Sequence, residues 1–394
     1  MVFDWLRRLL GGGGALAGPT RERRSRYAVP QVPLPVFFPP PRRFRAGVGP
    51  PAPDDLPPKR RRWPRRARYS RLEAVFEPTR LARFALPALE TPEDVAAALG
   101  ITMGRLKWLT FPVDDPAHYV MREVPKRSGG TRLLCAPKAQ TRAAQDWIRR
   151  EILDRLPAND CSHGFRRGRS IVTNAREHVG QQVVVNLDLE GCFPSISFAT
   201  VDGLFESLGY SKAVAWHLAM LCTCRYGGHL SRRSLPQGAP TSPGIANAVC
   251  WKLDRRLSAL AAKAGGKYTR YADDLTFSGD GAFGGGLNRF LPLVGRIVAE
   301  EGFRLNARKM RVMRRASRQE VTGVVVNDRP GLRRREVRQL RAILHNCRVH
   351  GAASQNAGQD PLFRERLRGR IALVRMVNPE QGGRLQQVFD AVAW

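Results

Sequence analysis

Tyr268-Thr269-Arg270-Tyr271-Ala272-Asp273-Asp274-Leu275-Thr276-Phe277-Ser278 is the stretch on which the reading of this chain turns. Two short runs, 268–271 and 275–278, have strand character and flank a two-residue turn at Asp273-Asp274. Adjacent carboxylates at a tight turn cost stability through like-charge repulsion. A divalent cation removes that penalty, provided several oxygens converge on it. Standing alone, the pair is also compatible with a solvated surface turn.

The second carboxylate site lies upstream. Val183-Val184-Val185-Asn186-Leu187-Asp188 reads as a buried strand over 183–189 that delivers Asp188 at its end, before Gly191-Cys192-Phe193-Pro194 turns the chain. A single and a paired acid at neighbouring strand ends can share two Mg²⁺ ions. Such ions sit roughly 3.5–4 Å apart and steady the attacking and leaving oxygens of an in-line phosphoryl transfer. Without metal, a purely structural Asp188 needs a buried Arg partner.

Two further segments suit a nucleotide. Leu235-Pro236-Gln237-Gly238-Ala239-Pro240-Thr241-Ser242-Pro243 forbids regular structure and places Thr241 and Ser242 as caps ahead of one long helix over 241–264. A helix start of that kind can present backbone donors to phosphate. Pro125-Lys126-Arg127-Ser128-Gly129-Gly130-Thr131-Arg132 reads as a basic hairpin tip between strands 119–124 and 131–136, able to close over a triphosphate.

Around these segments the pattern is mixed α and β. Thr91-Pro92-Glu93-Asp94 is a helix start, with the helix ending at Gly100 and a short one following at 102–109. Helical spacing recurs at 139–155, 199–208, 211–224, 287–301 and 333–349, and 321–326 reads as a strand. No internal repeat is present.

The whole chain of 394 residues carries 66 Lys and Arg against 34 Asp and Glu, a net charge of +32. Such an excess repels itself unless a polyanion neutralises it, and nucleic acid is the first candidate. Residues 1–80 hold 18 of the basic residues and 14 of the 29 prolines. Proline at that density blocks helices, so the arm is expected to be disordered or polyproline-like, and it reads as a nucleic-acid-binding arm, a docking segment for a protein, or a solvated tail with no specific role. Seven scattered cysteines imply a reducing compartment. Cys222 and Cys224 are too close together for the usual structural zinc pair, even with His217 nearby. No run of 18 apolar residues occurs, and Arg7 and Arg8 interrupt the apolar N-terminus, so neither a membrane span nor a secretory signal is expected.

In this order and spacing, the motifs over about 90–350 resemble those of the reverse transcriptases. The resemblance implies an α+β right-hand polymerase fold. A basic Pro/Arg-rich arm (1–75) would precede fingers and palm (76–320, an antiparallel sheet plus helices) and a helical thumb with C-terminal helices (321–394). It implies an RNA-directed DNA polymerase in which Asp188, Asp273 and Asp274 hold two Mg²⁺ and perform catalysis. Phe193 would exclude a 2′-hydroxyl, Gln237 would contact the incoming dNTP, Lys126 and Arg132 would grip its triphosphate, and Lys309 would act beside the leaving pyrophosphate.

Finer features are similar to the retron type: Asn174-Ala175-Arg176-Glu177-His178, Val321-Thr322-Gly323, and the run from His163 to Ser170. The resemblance implies that Asn174, His178, Val321, Thr322 and Gly323 serve RNA binding. It further implies a cognate non-coding RNA, priming from a guanosine 2′-hydroxyl and branched RNA-linked DNA as product. A separately encoded effector in anti-phage defence and a cytoplasmic, membrane-free location also follow from it. Gly191-Cys192 departs from the family pattern, where aromatic residues are frequent. Intron-type or diversity-generating reverse transcriptases, and a non-catalytic RNA-binding assembly protein, remain open at this point. Intron-type enzymes usually carry maturase regions beyond the thumb, whereas 44 residues follow His350 here.

Overall fold

The computed structural model describes residues 75–111, 117–125, 130–225 and 232–394. The expectations for the arm, apart from Val75, and for Lys126 lie outside the described residues. Helices α1 (Pro78–Arg83), α2 (Pro92–Ala98) and α3 (Met103–Thr110) come first. Thr91 caps α2 as its sequence implies: its hydroxyl accepts from Asp94 N, and the Asp94 carboxylate accepts from Thr91 N at 2.9 Å. Strands β1 (Tyr119–Pro125) and β2 (Thr131–Pro137) pair antiparallel, with Val124 opposite Arg132.

Helices α4 (Ala139–Glu151) and α5 (Ile171–Arg176) lead into β3 (Val183–Asp188). Next come α6 (Cys192–Ser195), α7 (Phe198–Leu208), α8 (Lys212–Cys222) and the small pair β4 (Cys224–Arg225) and β5 (Arg233–Ser234). Helices α9 (Ser242–Val249) and α10 (Trp251–Lys263) precede the hairpin β6 (Gly266–Tyr271) and β7 (Asp274–Gly279). Then follow α11 (Gly281–Gly285), α12 (Leu287–Glu300), β8 (Arg311–Arg314), β9 (Glu320–Val321) and β10 (Val324–Val325). Helices α13 (Arg334–His350), α14 (Phe363–Val377) and α15 (Pro379–Asp390) end the chain.

The main sheet is antiparallel, in the order β6-β7-β3-β8. Strand β3 is central and covered on both faces, which is why its sequence is an almost unbroken apolar run. Val183, Val185 and Leu187 join the main core with Leu275, Phe277 and Phe290. Val184 faces the other way, into a second cluster with Ile171, Val172, Tyr271, Val321 and Val324. A third cluster, built on Leu340, Leu344, Ile371 and Phe389, holds the last three helices together, and Leu373 and Val377 of α14 reach into the second. The described residues contain no helix long and apolar enough to cross a membrane.

Several boundaries differ from the sequence expectation. The single helix over 241–264 is two, broken at Cys250, which closes α9 and opens α10. Thr241 does not cap α9 with its side chain, because its backbone is already helical; Ser242 instead donates its hydroxyl to the Pro236 carbonyl at 2.7 Å. The run 321–326 is no single strand. Thr322 and Gly323 take positive φ of 49° and 85°, folding it into the tiny β9–β10 hairpin. That hairpin packs under the main sheet, so the C-terminal helical cluster begins only near Leu332. Helix 211–224 stops at Cys222, and 139–155 at Glu151 with a 3-10 turn beyond.

A candidate carboxylate centre at the strand ends

The turn between β6 and β7 is Ala272-Asp273, one residue earlier than expected. Tyr271 pairs with Asp274, which makes Asp274 the first residue of β7. Ala272 has φ 58°, the left-handed region that is costly for any residue with a Cβ. The shift matters because strand alternation then places Asp274, Thr276 and Ser278 on one face. Across the ladder, Asp188 is the register partner of Asp274. The backbone continues the joint: Leu189 N donates to Asp273 O at 2.9 Å, and Asn306 N to Asp188 O at 2.8 Å.

One of the three acids, Asp188, binds an ammonium directly, and the other two act on it through their charge. Lys309 ends a 3-10 turn (Ala307–Lys309) and its Nζ donates to Asp188 Oδ1 at 2.7 Å. Burial pulls the Lys309 ammonium down in pKa, but the Asp188 hydrogen bond and the charges of Asp188, Asp273 and Asp274 outweigh it, so the net shift is upward. Burial, then the Asp273 charge, raise the Asp188 carboxyl, with Lys309 opposing. Among the described residues, no three His, Cys, Asp or Glu side chains form a ready-made metal cage. The acids nonetheless concentrate negative charge where a cation already sits, and carboxylate oxygens are the donors a hard divalent ion takes. On that ground the residues fit Mg²⁺.

The other nucleotide candidates are linked through backbone. The Gln237 carbonyl accepts from Cys135 N at 2.8 Å, which stitches its loop to β2, the strand that carries Arg132. A Cβ on Gly238, whose φ is 124°, would lie 3.2 Å from the Cys135 carbonyl oxygen, so only glycine lets the loop dock. Leu235 N donates to Ile196 O at 3.0 Å, tying the same loop to the residue after α6. Phe193 lies on α6, half-buried, with its ring centroid 6.4 Å from that of Phe165.

The family model described as reverse transcriptase (RNA-dependent DNA polymerase) matches residues 124–330. The Retron Mx65 reverse transcriptase of Myxococcus xanthus is 44% identical over 354 residues, covering 83% of this chain and 81% of the relative. The chain belongs to the retron reverse transcriptases. As such it is an RNA-directed DNA polymerase. The Retron Mx162 enzyme of the same organism is 42% identical over 75% of the chain and 66% of its own length. The Retron Ec86 enzyme of Escherichia coli is 33% identical over 68% and 81%. Among solved structures, a telomerase from Candida albicans has a TM-score of 0.38 at 10% identity, covering 68% of this chain and 56% of that one.

In this retron reverse transcriptase, the residues singled out for RNA contact sit mostly inside. Asn174, His178 and Val321 have no accessible surface, so none of them can touch RNA in this conformation. His178 instead bridges the hairpin: Nδ1 lies 2.7 Å from Ser278 Oγ on β7 and Nε2 2.7 Å from Thr269 Oγ1 on β6. Burial pushes its pKa down to about 3, so the ring is neutral. Thr322 donates its hydroxyl to the Ile171 carbonyl at 3.1 Å, joining the Val321-Thr322-Gly323 turn to α5, the helix of Asn174. Gly323 is exposed.

Two residues of this retron reverse transcriptase have packing roles that its motifs do not reveal. Arg270 is buried and forms a two-point ion pair with Asp254 of α10, Nε to Oδ1 and Nη2 to Oδ2 each at 2.8 Å. Its Nη1 reaches Asn247 of α9. One signal is present in the sequence: alternation turns Arg270 to the face opposite Thr269 and Tyr271, into the main core, and a buried Arg demands a carboxylate. Gly164 stands within the run from His163 to Ser170. A Cβ there would lie 2.4 Å from Ala272 N, so the 161–165 segment can press on the carboxylate turn only with glycine at that point.

Proposed function

We propose that Asp188, Asp273 and Asp274 hold two Mg²⁺ ions and that the chain copies an RNA template into DNA at this centre. The observation that carries the reading is the facing of Asp188 and Asp274 across β3 and β7, with the Lys309 ammonium already held by Asp188. Bound there, the ions supply Lewis-acid stabilisation of the attacking and leaving oxygens. The chain's own groups do the rest. Lys309 stays protonated through the neutral range, which supports a place beside the leaving pyrophosphate. Phe193 presents a ring against the sugar and excludes a 2′-hydroxyl. Gln237 orients the incoming dNTP, and Arg132, with Lys126 beyond the described residues, grips its phosphates.

In this reading the main sheet with its helices is the palm, β1–β2 belongs to the fingers, and α13–α15 form the thumb. Exposed Arg334, Arg335, Arg338, Arg341 and Arg348 on α13 supply the charge to bind the cognate non-coding RNA. Synthesis starts from a guanosine 2′-hydroxyl in that RNA and leaves branched, RNA-linked DNA. The enzyme works in the cytoplasm beside a separately encoded effector in anti-phage defence. The 1–75 arm is a nucleic-acid or protein docking extension. Asn174, His178, Val321, Thr322 and Gly323 serve RNA binding indirectly, by fixing the support of the hairpin.

Extension of a primer on an RNA template with Mg²⁺ and dNTPs tests the core of this reading. The wild type incorporates dNTPs, and Asp273→Ala with Asp274→Ala abolishes incorporation. Equal, background-level incorporation by both would remove the enzymatic assignment of these acids. Debranching of the copurifying nucleic acid tests priming separately: absence of a 2′–5′ linkage removes the branched-product reading and leaves the polymerase intact.

A further inference from the structure

We propose that Arg270, held by Asp254 and Asn247, is a positioning residue that sets the backbone of the carboxylate turn and so the metal affinity of Asp273 and Asp274. This rests on the reading of those acids as Mg²⁺ ligands.

All five guanidinium N–H donors of Arg270 are used. Nε and one Nη2 proton bind the two Asp254 oxygens at 2.8 Å, and the second Nη2 proton reaches Ser162 Oγ at 3.1 Å. Nη1 donates to Asn247 Oδ1 and to the Ala272 carbonyl, each at 3.0 Å. That last bond matters most. Ala272 holds a left-handed φ, which alanine adopts only under constraint, and its carbonyl opens the peptide that leads to Asp273. The Arg270 backbone is locked as well: its N donates to Cys161 O at 2.7 Å and its O accepts from His163 N at 2.8 Å.

The anchors are themselves fixed. Asp254 also accepts from Tyr268 Oη at 2.9 Å, and Asn247 Nδ2 donates to the Gly164 carbonyl at 3.0 Å. The ion pair is 1% exposed on both sides, so water cannot replace a missing partner. Asn247 stands on α9, the helix that the Gln237 loop feeds. A rigid path therefore runs from the loop, through α9 and Arg270, to the turn. Lysine keeps the charge but has no fork: it cannot bind both Asp254 oxygens and the Ala272 carbonyl together.

The test uses the full chain, with Mn²⁺ as the probe in calorimetry and Mg²⁺ in primer extension. Arg270→Lys is expected to weaken Mn²⁺ binding and lower kcat by about 10- to 100-fold, the range for residues that orient metal ligands. The KM for dNTP is expected to stay within about twofold, as for a change that spares ground-state binding. Wild-type Mn²⁺ affinity and kcat, with only a lowered Tm, would reduce Arg270 to a structural ion pair. Should Arg270→Lys fail to fold, Asn247→Ala decides, since it leaves the two-point pair with Asp254 intact. A several-fold loss of Mn²⁺ affinity supports the proposal, and an unchanged affinity overturns it. Asp273→Asn separates the two ideas. Mn²⁺ binding that ignores Asp273 removes the metal reading and the proposal with it, whereas Asp273-dependent binding untouched by Arg270→Lys overturns the proposal alone.

Discussion

Asp188, the last residue of β3, lies directly opposite Asp274, the first residue of β7. Two carboxylates in that relation repel, and the Lys309 ammonium on Asp188 is what the chain offers against it. Lys309→Met removes the charged donor of the buried Asp188 carboxylate, leaving only the Asn306 side chain, and is expected to cost about 1–3 kcal/mol in the absence of divalent ions. Mg²⁺ should restore part of that loss. Urea denaturation with and without Mg²⁺ measures both, and identical curves for wild type and variant would sink the idea. Asp274→Asn should behave oppositely, slightly stabilising the metal-free protein while losing the response to Mg²⁺.

Phe193 makes a prediction about selectivity rather than rate. Phe193→Ala opens the space beside the sugar, so ribonucleotide incorporation should rise relative to deoxyribonucleotide by about 10-fold or more, the scale of a single steric clash removed. Competing dNTP and rNTP in single-nucleotide extension reports the ratio. An unchanged ratio removes the gate role.

His178 ties stability to pH. Burial holds its folded pKa near 3, below the ordinary 6.5 of the unfolded chain. Above 6.5 both states are neutral and nothing changes. Between 6.5 and about 3 the unfolded chain binds a proton that the folded one refuses, so stability falls as pH drops, by up to about 1.4 kcal/mol per pH unit. His163, lowered to about 4 by burial and then by Arg169 and Arg166, adds to the slope below neutrality. Tm followed from pH 7 to 4 should fall less steeply in His178→Gln than in wild type. Parallel profiles would show that another group carries the acid sensitivity.

The exposed arginines of α13 predict a salt effect. Replacing Arg338, Arg341 and Arg348 with Gln frees up to three RNA phosphates, so the slope of log K for RNA against log salt should fall by roughly 0.7–0.9 for each phosphate no longer neutralised. Filter binding across salt measures it. A slope equal to wild type places the RNA elsewhere.

The local elements were legible to different degrees. The hairpin, its paired acids and the Asp188 strand could be read because strand alternation and turn chemistry are local. The start of α2 was equally legible, since Thr91, Pro92 and the acids that follow lie within one turn. The break at Cys250 was not, because helical periodicity continues through it. The turn register slipped by one residue because Ala272 carries no sign of a left-handed backbone. The resemblance gave His178 a part in RNA binding, whereas from its residue type alone it reads as a satisfied polar residue; which groups satisfy it was hidden, because its two partners lie about ninety residues and more downstream.

The sequence by itself determined the reaction class, because short motifs of local spacing carry the family resemblance that the relatives bear out. Only the tertiary structure decided what holds those motifs in place. Arg270, Asp254, Asn247, Gly164 and His178 act through contacts between residues distant in the chain. No local pattern encodes which buried donor meets which acceptor; burial selects that pairing, because an unpaired polar group in the interior is too costly to leave.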